Sequence, residues 1–288
     1  MQGSSSPLKR AQQAATHPFR VGCVSYLNAK PLIEGLAETG AAKIDYRVPA
    51  ALLAGLESGE TDLALCPFID YFRSKQELVI VPSGGIGCAG PTLTVRLFSQ
   101  IPLPDVTDVY ADTDSHTSVA LLKILMSKMY QTDINLIDYD AREHTSGGKL
   151  VDKPEAMLLI GDKVVSDAPC GCAYSHQLDL GQAWWELTGK PFVFAVWMCR
   201  KDAALARLPI LLSELQLQND HRIDEIAETY APKHHWSVKL AQQYLGDILR
   251  YTIGKPELEG MKLFAQMAGE MNLISDNRPL RVMTGSRF

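Results

Sequence analysis

The sequence predicts an α/β protein with two lobes and a ligand cleft between them, and three observations lead to this prediction. The chain has 288 residues, which is long for a single hydrophobic core and favours two lobes. Segments with strand and helix patterns alternate from residue 20 to residue 200, as they do in βαβ units with a largely parallel sheet. Beyond Arg200 the apolar residues recur at three- and four-residue spacing, which indicates helices.

The first lobe is predicted to begin with short strands that alternate with helices. Pro31 lies in the first turn of the first helix and Gly40 at its end, which are preferred positions for these residues. The last two strands of this lobe flank a glycine-rich link. The predicted strands are 20–26, 43–48, 61–67, 78–83 and 93–99, and the predicted helices are 30–40, 49–59 and 68–75.

The second lobe is predicted between two strands that pass from one lobe to the other, 93–99 and 192–200. Two such strands form a hinge, and the cleft between the lobes is a preferred place for a ligand. We therefore divide the chain into a flexible tail (1–17), a discontinuous lobe I (18–95 and 198–288) and lobe II (96–197). Further strands are predicted at 106–112, 134–139 and 156–162, and further helices at 118–130, 236–254 and 256–274.

Composition and charge exclude several classes of protein. Hydrophobic residues make up 46% and charged residues 21% of the chain, which is ordinary for a folded globular protein. A net charge of −5 argues against a nucleic-acid partner, because a basic surface is needed to neutralise phosphates. No apolar run follows Lys9 and Arg10, and no window approaches the ~18 apolar residues of a membrane span. We therefore expect a cytoplasmic protein with no membrane partner.

The cysteines and histidines are given structural interpretations. Cys170-Gly171-Cys172 has a shorter spacing than zinc sites use, so an ordinary loop is favoured and a redox or metal role is the alternative. The pair His234-His235 is interpreted as surface, and the polar segment 144–148 as a loop. Four further cysteines lie in apolar stretches and are interpreted as small buried side chains: Cys23, Cys66, Cys88 and Cys199.

Three glycines match the dinucleotide-binding pattern G-x-G-x-x-G, namely Gly85, Gly87 and Gly90. A dinucleotide site also needs a helix to begin at this point, and here Pro91 and a predicted strand follow. Without a helix N-terminus there is no dipole to hold a pyrophosphate, so the dinucleotide interpretation is rejected. The glycines are instead expected to permit turns with positive φ or close approach of the backbone to a ligand.

Polar residues follow two of the predicted strands at the edge where ligands bind in α/β proteins. Asn28 comes after the first strand, where it is either a helix cap or a side chain facing the cleft. Ser25 and Tyr26 precede it as lining or capping residues. Three hydroxyl residues at the start of helix 118–130 exceed what a cap needs and predict a carboxylate or phosphate site: Ser115, Thr117 and Ser118.

Five segments together resemble the chorismate dehydratase family, whose members open the futalosine route to menaquinone. The resemblance runs in family order from about residue 19 to residue 274, and its first and last segments are quite specific to the family. The segments are SYLNAKPL (25–32), GPTLTVRLFS (90–99), DSHTSVALL (114–122), LLIGD (158–162) and DLGQAWWELTGKPFVFAVW (179–197).

The resemblance implies a type II periplasmic-binding-protein-like fold, used without secretion. It also implies a carbon–oxygen lyase, a hydro-lyase that converts chorismate into 3-[(1-carboxyvinyl)oxy]benzoate and water. Chorismate is then the small-molecule partner, and no metal or organic cofactor is required. On the family pattern Asn28 and Thr94 are catalytic residues, and the enolpyruvyl carboxylate of the substrate accepts the proton.

The resemblance also implies a set of residues that bind the substrate, and the sequence departs from the family pattern at two positions. Thr94 stands where family members often have serine, and Ala89 stands where an aspartate is common. Two alternatives are a non-catalytic cytosolic small-anion binding protein or sensor, and the sister enzyme that makes a dihydroxynaphthoate, which lacks the SYLNAKPL opening. The implied substrate-binding residues are Ser25, Tyr26, Gly90, Ser115, Thr117, Ser118, Gly161 and Asp162.

Overall fold

The computed structural model describes residues 17–112, 115–139, 145–146, 149–150, 153–166, 173–276 and 278–284. The predicted tail, apart from His17, lies outside these ranges, as do Cys170, Cys172 and most of the predicted loop 144–148. Within them, strands and helices alternate as the sequence predicts, and they form two large sheets and one short two-stranded sheet. This arrangement confirms the predicted α/β fold class.

The elements are short and are numbered in chain order. The strands are β1 Phe19–Cys23, β2 Ala42–Tyr46, β3 Leu63–Pro67, β4 Leu78–Cys88, β5 Val95–Ser99, β6 Asp108–Asp112, β7 Asn135–Tyr139, β8 Thr145–Ser146, β9 Lys149–Leu150, β10 Ala156–Ile160, β11 His176–Asp179, β12 Phe192–Arg200 and β13 Leu249–Arg250. The α-helices are α1 Lys30–Ile33, α2 Pro49–Ser58, α3 Asp70–Arg73, α4 His116–Leu125, α5 Lys163–Ser166, α6 Leu180–Thr188, α7 Leu208–Asp220, α8 Ile223–Tyr230, α9 Val238–Gln243 and α10 Lys255–Glu270.

The first sheet has the strand order β13-β4-β12-β3-β1-β2, and the second has the order β11-β5-β10-β6-β7. In the first sheet β1 pairs in parallel with β2 and β3, whereas β12 runs antiparallel to β3 and β4. In the second sheet β6 is parallel to β7 and β10, whereas β5 is antiparallel to β10 and β11. The prediction of largely parallel sheets is therefore only half right, because the strands next to the lobe crossings run against their neighbours.

The glycine-rich segment after residue 83 belongs to strand β4, so the prediction of a link there is wrong as far as Cys88. The reason is the close approach of β12. A Cβ atom on Gly87 would lie 2.5 Å from the carbonyl oxygen of Phe192, and one on Gly85 would lie 2.7 Å from that of Ala195. The glycines thus serve a close backbone approach, as expected, but to a neighbouring strand.

The predicted helix 30–40 is broken into short pieces. A 3₁₀ turn at Leu27–Ala29 leads into α1, which ends at Ile33 because Glu34 is extended and Gly35 has a φ of +82°. A second 3₁₀ turn at Ala37–Thr39 ends at Gly40. The helix that was predicted over 236–254 is also interrupted. There α9 passes into a π-helical turn at Tyr244–Ile248, and β13 follows it.

The chain crosses between the sheets at residues 89–94, after β4, and at 189–191, before β12. The predicted boundary between residues 197 and 198 falls inside β12, and every paired residue of this strand lies in the first sheet. Sequence periodicity could not locate this boundary, because a buried strand has the same apolar pattern on either side of a crossing.

The core contains most of the apolar side chains of both sheets and the helices that cover them. The four described cysteines are buried and unpaired, as the sequence predicts, and burial raises the pKa of the Cys23 thiol to about 12 and of the Cys199 thiol to about 11. No helix in the described part of the chain combines the length and the apolar character needed to cross a membrane.

Candidate active site

A pocket lies between the two sheets, and both contribute side chains to its wall. The first sheet and its loops supply Asn28 and Tyr26, and the second supplies Thr94 and Gly161. Tyr244, at the start of the π-helical turn Tyr244–Ile248 in the C-terminal segment (201–284), completes the wall. The described residues that line the pocket are Val24, Tyr26, Asn28, Pro49, Leu65, Pro67, Ile86, Thr92, Thr94, Val95, Ser115, Ser118, Ile160, Gly161, Phe194, Ala195, Tyr244 and Leu249.

Asn28 lies in the middle of the 3₁₀ turn that follows β1. Leu27 and Ala29 on either side of it are fully buried in the core, which fixes the turn and leaves the Asn28 side chain at the pocket. The caps of this turn and of α1 are Tyr26 and Ala29, so Asn28 is not the N-cap of either. Its Oδ1 atom is buried and accepts no hydrogen bond from the described residues. A buried carbonyl oxygen without a donor is a site that a ligand can satisfy.

Thr94 and Tyr244 form a buried hydrogen-bonded pair across the pocket. The Thr94 Oγ1 atom lies 2.7 Å from the Tyr244 hydroxyl oxygen, and either group can donate. Both side chains are almost completely buried. Burial raises the pKa of Tyr244 well above its usual value, although hydrogen bonds with Thr94 and Asn28 partly oppose the shift. Tyr244 therefore remains a protonated donor at any physiological pH.

Tyr244 is a site residue that the sequence interpretation missed. It lies 150 residues from Thr94 along the chain, within a segment predicted as an ordinary amphipathic helix. The π-helical turn that begins at Tyr244 brings its ring under the indole of Trp236, with ring centroids 4.9 Å apart. A π-helical turn is a frequent mark of a functional site, but no residue pattern in this segment announces one.

The start of α4 presents two of its three hydroxyl groups to the pocket. Ser115 is the N-cap, and its Oγ atom lies 3.0 Å from Ser118 Oγ and accepts from the Ser118 N–H at 3.5 Å. Both serines line the pocket. Thr117 is fully buried and does not line it, because its Oγ1 accepts a hydrogen bond of 3.2 Å from the Ile69 N–H. This hydrogen bond joins α4 to the first sheet's lobe, and it places Thr117 behind the lining of the pocket.

Gly161 lines the pocket and Asp162 does not. Gly161 has a φ of +68°, and its N–H donates to the Thr94 carbonyl at 2.8 Å. The Tyr26 ring lies 3.8 Å from the position of a Cβ atom on this glycine. Asp162 turns away from the lining and pairs with His234, whose Nδ1 lies 2.7 Å from Asp162 Oδ2. The surface interpretation is therefore wrong for His234, which is only partly exposed, and right for the exposed His235.

Ser25 and Gly90 are not among the lining residues. Ser25 is exposed at the end of β1. Gly90 is buried in the first crossing, where its φ of +125° is a conformation that residues with a Cβ atom rarely adopt. Gly90 thus has the turn role that the glycine pattern predicts, and it shapes the crossing.

None of the described side chains that line the pocket carries a charge. Lys30 follows the lining residue Asn28 by two positions and is buried. Its Nζ lies 5.0 Å from the centroid of the Tyr46 ring and 5.1 Å from that of the Tyr230 ring. Burial lowers the pKa of Lys30 below its usual value. The arrangement can therefore orient an anionic ligand through uncharged donors and apolar walls, and the described lining offers no carboxylate or imidazole as a base.

Comparison with known proteins places this chain among enzymes of quinone biosynthesis. The model of the family described as menaquinone biosynthesis matches residues 19–270. The chain is 30% identical to the chorismate dehydratase of Thermus thermophilus, over 88% of this chain and 96% of that protein. It is 25% identical to the chorismate dehydratase of Campylobacter jejuni, over 86% of this chain and 92% of that protein.

Among solved structures, the periplasmic aliphatic sulphonate binding protein SsuA from Escherichia coli has a similar fold. The TM-score is 0.60 at 15% sequence identity, and the similarity covers 91% of this chain and 95% of SsuA. This comparison confirms the periplasmic-binding-protein-like fold that the sequence resemblance implies.

Proposed function

Because the chain belongs to the menaquinone biosynthesis family and is similar to chorismate dehydratases over most of its length, we propose that it dehydrates chorismate. The products are 3-[(1-carboxyvinyl)oxy]benzoate and water, so the enzyme is a hydro-lyase. The observation that carries this proposal beyond family membership is a pocket lined by uncharged polar groups, in which the Asn28 Oδ1 is an unpartnered acceptor and Thr94 is bonded to Tyr244.

The reaction forms an aromatic ring by removing one proton and one hydroxide. The C3–H bond of chorismate breaks, and its electron pair forms the new ring double bond while the C4–O bond breaks. The enolpyruvyl carboxylate of the substrate accepts the C3 proton, and the departing hydroxide then takes up that proton and leaves as water. Both carboxylates are ionised before and after the reaction, so charge is balanced without an enzyme base.

Thr94 and Tyr244 act on the departing hydroxyl group. Tyr244 donates to Thr94 Oγ1, which frees the Thr94 hydroxyl hydrogen for the oxygen on C4. Negative charge grows on that oxygen as the C4–O bond breaks, so this hydrogen bond is stronger in the transition state than in the bound substrate. The raised pKa of Tyr244 keeps the phenol protonated, which the chain of donors requires.

Asn28 orients the enolpyruvyl carboxylate toward the C3 hydrogen. Its amide N–H₂ can donate to a carboxylate, and the side chain lies beside the Tyr244 hydroxyl. Holding the base of the substrate near the proton it removes makes the transfer an intramolecular step, which is a large source of acceleration. The functional interpretation of Asn28 is thus preferred to the capping interpretation.

The start of α4 is proposed to bind the ring carboxylate. Ser115 and Ser118 offer hydroxyl donors there, and the N-terminal end of a helix favours an anion. Ile86, Phe194 and Leu249 also line the pocket and give the ring an apolar wall that excludes water from the reacting carbons.

The experiment that tests the function is incubation of the purified protein with chorismate. Mass spectrometry and ultraviolet absorbance follow the product, and a sample without protein corrects for spontaneous breakdown. We expect an aromatic product that is lighter than chorismate by one water molecule. Asn28→Ala is expected to lower the turnover strongly, and full turnover by this variant would contradict its role. Chorismate that binds but stays intact would favour a non-catalytic small-anion binding protein.

A further inference from the structure

The crossing from β4 to β5 contains a strained turn immediately before Thr94. Leu93 has a φ of +65°, which is uncommon for a residue with a Cβ atom. The Thr94 N–H donates to the Thr92 carbonyl at 2.7 Å, so residues 92–94 form a three-residue γ-turn with Leu93 at its centre. A γ-turn with positive φ is rare and strained, and such strain persists only where the surrounding structure holds it.

Asp179 supplies the contacts that hold this turn. Its Oδ1 accepts from the Thr92 N–H at 2.9 Å, and its Oδ2 accepts from the Leu93 N–H at 2.8 Å. The Arg96 Nη2 lies 3.5 Å from Oδ2 and adds an ion pair. The carboxylate is largely buried, with 11% of the side chain exposed, so these contacts are weakly screened by solvent.

The same carboxylate also caps α6. Asp179 is the N-cap residue, and its Oδ1 accepts from the N–H groups of Gly181 and Gln182, each at 3.1 Å. Space at this junction is tight, because a Cβ atom on Gly181 would lie 2.8 Å from the Gly90 carbonyl oxygen. The other described N-caps whose side chains accept hydrogen bonds, Ser115 and Ser237, bond within their own helices. Asp179 alone among these caps also bonds to a segment that enters the pocket.

We propose that Asp179 is a positioning residue that aims the Thr94 hydroxyl at Tyr244 and the substrate by holding the γ-turn at Leu93. Thr94 follows the turn directly, and its carbonyl is fixed on the other side by the Gly161 N–H at 2.8 Å. With the backbone fixed on both sides of Thr94, its Cα–Cβ bond has one direction, and the hydrogen bond with Tyr244 selects the rotamer of the hydroxyl. The inference rests on the proposed dehydratase function, since it assigns Asp179 a role in that reaction.

The test separates the clamp from the cap with two substitutions. Asp179→Ser retains a good N-cap for α6, but serine is too short to reach the Thr92 and Leu93 N–H groups. We expect this variant to fold with a lower melting temperature, because the Thr92 and Leu93 N–H groups lose their acceptor, while kcat falls about 100-fold and KM changes little, as for a misplaced catalytic group. Hydrogen exchange at the Leu93 amide is expected to become faster.

Leu93→Gly provides the rescue, because glycine adopts a positive φ without strain. In the Asp179→Ser background it is expected to recover at least about tenfold in kcat, since the turn no longer needs the carboxylate. A role of Asp179 in helix stability alone predicts no such recovery. If Asp179→Ser does not fold, Asp179→Asn replaces it, because the isosteric amide keeps a capping oxygen but turns an N–H₂ group toward the backbone of the turn.

Wild-type protein and Thr94→Val are measured beside these variants. If the wild type is active and the kcat of Asp179→Ser is unchanged, the inference about Asp179 is overturned and the proposed function stands. A kcat loss that Leu93→Gly does not recover also overturns it. A wild-type protein that leaves chorismate intact contradicts the proposed function itself and removes the catalytic role of Asp179 with it.

Discussion

At the scale of single residues, the pocket works with hydroxyl and amide groups. Thr94, Tyr244 and Asn28 come from three distant parts of the chain and all line the pocket, where Thr94 Oγ1 lies 2.7 Å from the Tyr244 hydroxyl oxygen. Each of them is neutral, so the chemistry depends on direction and burial. Removing one donor of this kind from an enzyme site costs a factor of about 10²–10³ in rate, which sets the scale for the first prediction.

Thr94→Val retains the shape of the side chain and removes its hydroxyl. We expect kcat for chorismate to fall by about 10²-fold or more, because the leaving hydroxyl loses its donor. Thr94→Ser is the matched variant, since it restores the hydroxyl and removes only a methyl group. Steady-state kinetics on the two variants check this, and equal activity of valine and serine at this position would contradict the assignment.

The buried phenol of Tyr244 makes stability depend on alkaline pH. Its pKa in the folded protein is raised above the value of 10.0 for an unburied tyrosine, so the folded state holds a proton that the unfolded state releases. The free energy of unfolding is therefore complete below about pH 10 and falls as the pH rises through the raised pKa.

Urea unfolding of Tyr244→Phe beside the wild type isolates this contribution. Above about pH 10 the wild-type free energy of unfolding is expected to fall by about 1.4 kcal/mol per pH unit more steeply than that of the variant. The buried thiols titrate in both proteins, and burial, the main cause of the raised Tyr251 pKa, is present in both. Parallel slopes would mean that the Tyr244 pKa is not raised by folding.

At the scale of elements, glycines in β4 set the distance to β12. Gly87→Ala is expected to destabilise the protein by about 1–3 kcal/mol, because the new Cβ atom would meet the Phe192 carbonyl oxygen at 2.5 Å. Gly246→Ala is the control, since its Cβ atom would meet nothing closer than Ile223 at 3.4 Å. Thermal or urea unfolding of both variants measures the difference, and equal stability of the two would contradict this packing argument.

The sequence predicts whether a segment is a strand or a helix better than it predicts where that element begins and ends. Strands such as β3 and β10 are continuous apolar runs and lie where they were predicted, because local pattern suffices for a buried strand. The helix 30–40 fails because Gly35 takes a positive φ, which leaves α1 as a single turn. The glycines of β4 fail as a link because the approach of Phe192 and Ala195, more than a hundred positions away, decides their role.

Some residues of the candidate site could be selected from the sequence, and others could be found only in the folded structure. Asn28, Ser115 and Ser118 could be selected from sequence because polar residues after strands and at helix starts have a recognisable pattern, whereas Thr94 was selected only through the family resemblance. Tyr244 could not, since only the folded chain brings its hydroxyl to Thr94. The contact of Thr117 with Ile69 and that of Asp162 with His234 are likewise tertiary, and the sequence had assigned both residues to substrate.

At the scale of the whole molecule, two histidine–aspartate pairs join the lobes beside the pocket. His116 at the start of α4 lies 2.7 Å from the fully buried Asp70 of α3, and His234 of the C-terminal segment lies 2.7 Å from Asp162, which follows β10. Each pair connects an element of the first sheet's lobe with one of the second. Their contacts therefore favour the arrangement in which the pocket is enclosed.

His116→Ala is expected to raise KM for chorismate several-fold while kcat changes little. Loss of one contact between lobes lowers the population of the enclosed arrangement, and the apparent affinity falls by the same factor. His176→Ala on the edge strand β11 is the control, because it leaves both pairs in place. A KM for His116→Ala equal to that of the control would contradict a role of this pair in closure.

The dependence of kcat on pH tests the central claim most directly, which is dehydration of chorismate by an uncharged pocket with the substrate as its own base. Between about pH 5.5 and pH 9 the carboxylates of chorismate stay ionised and Tyr244 stays protonated. The account therefore predicts a product one water lighter than chorismate at a constant kcat across this range. A limb in the profile with an apparent pKa near neutrality would reveal an enzyme acid or base and contradict it.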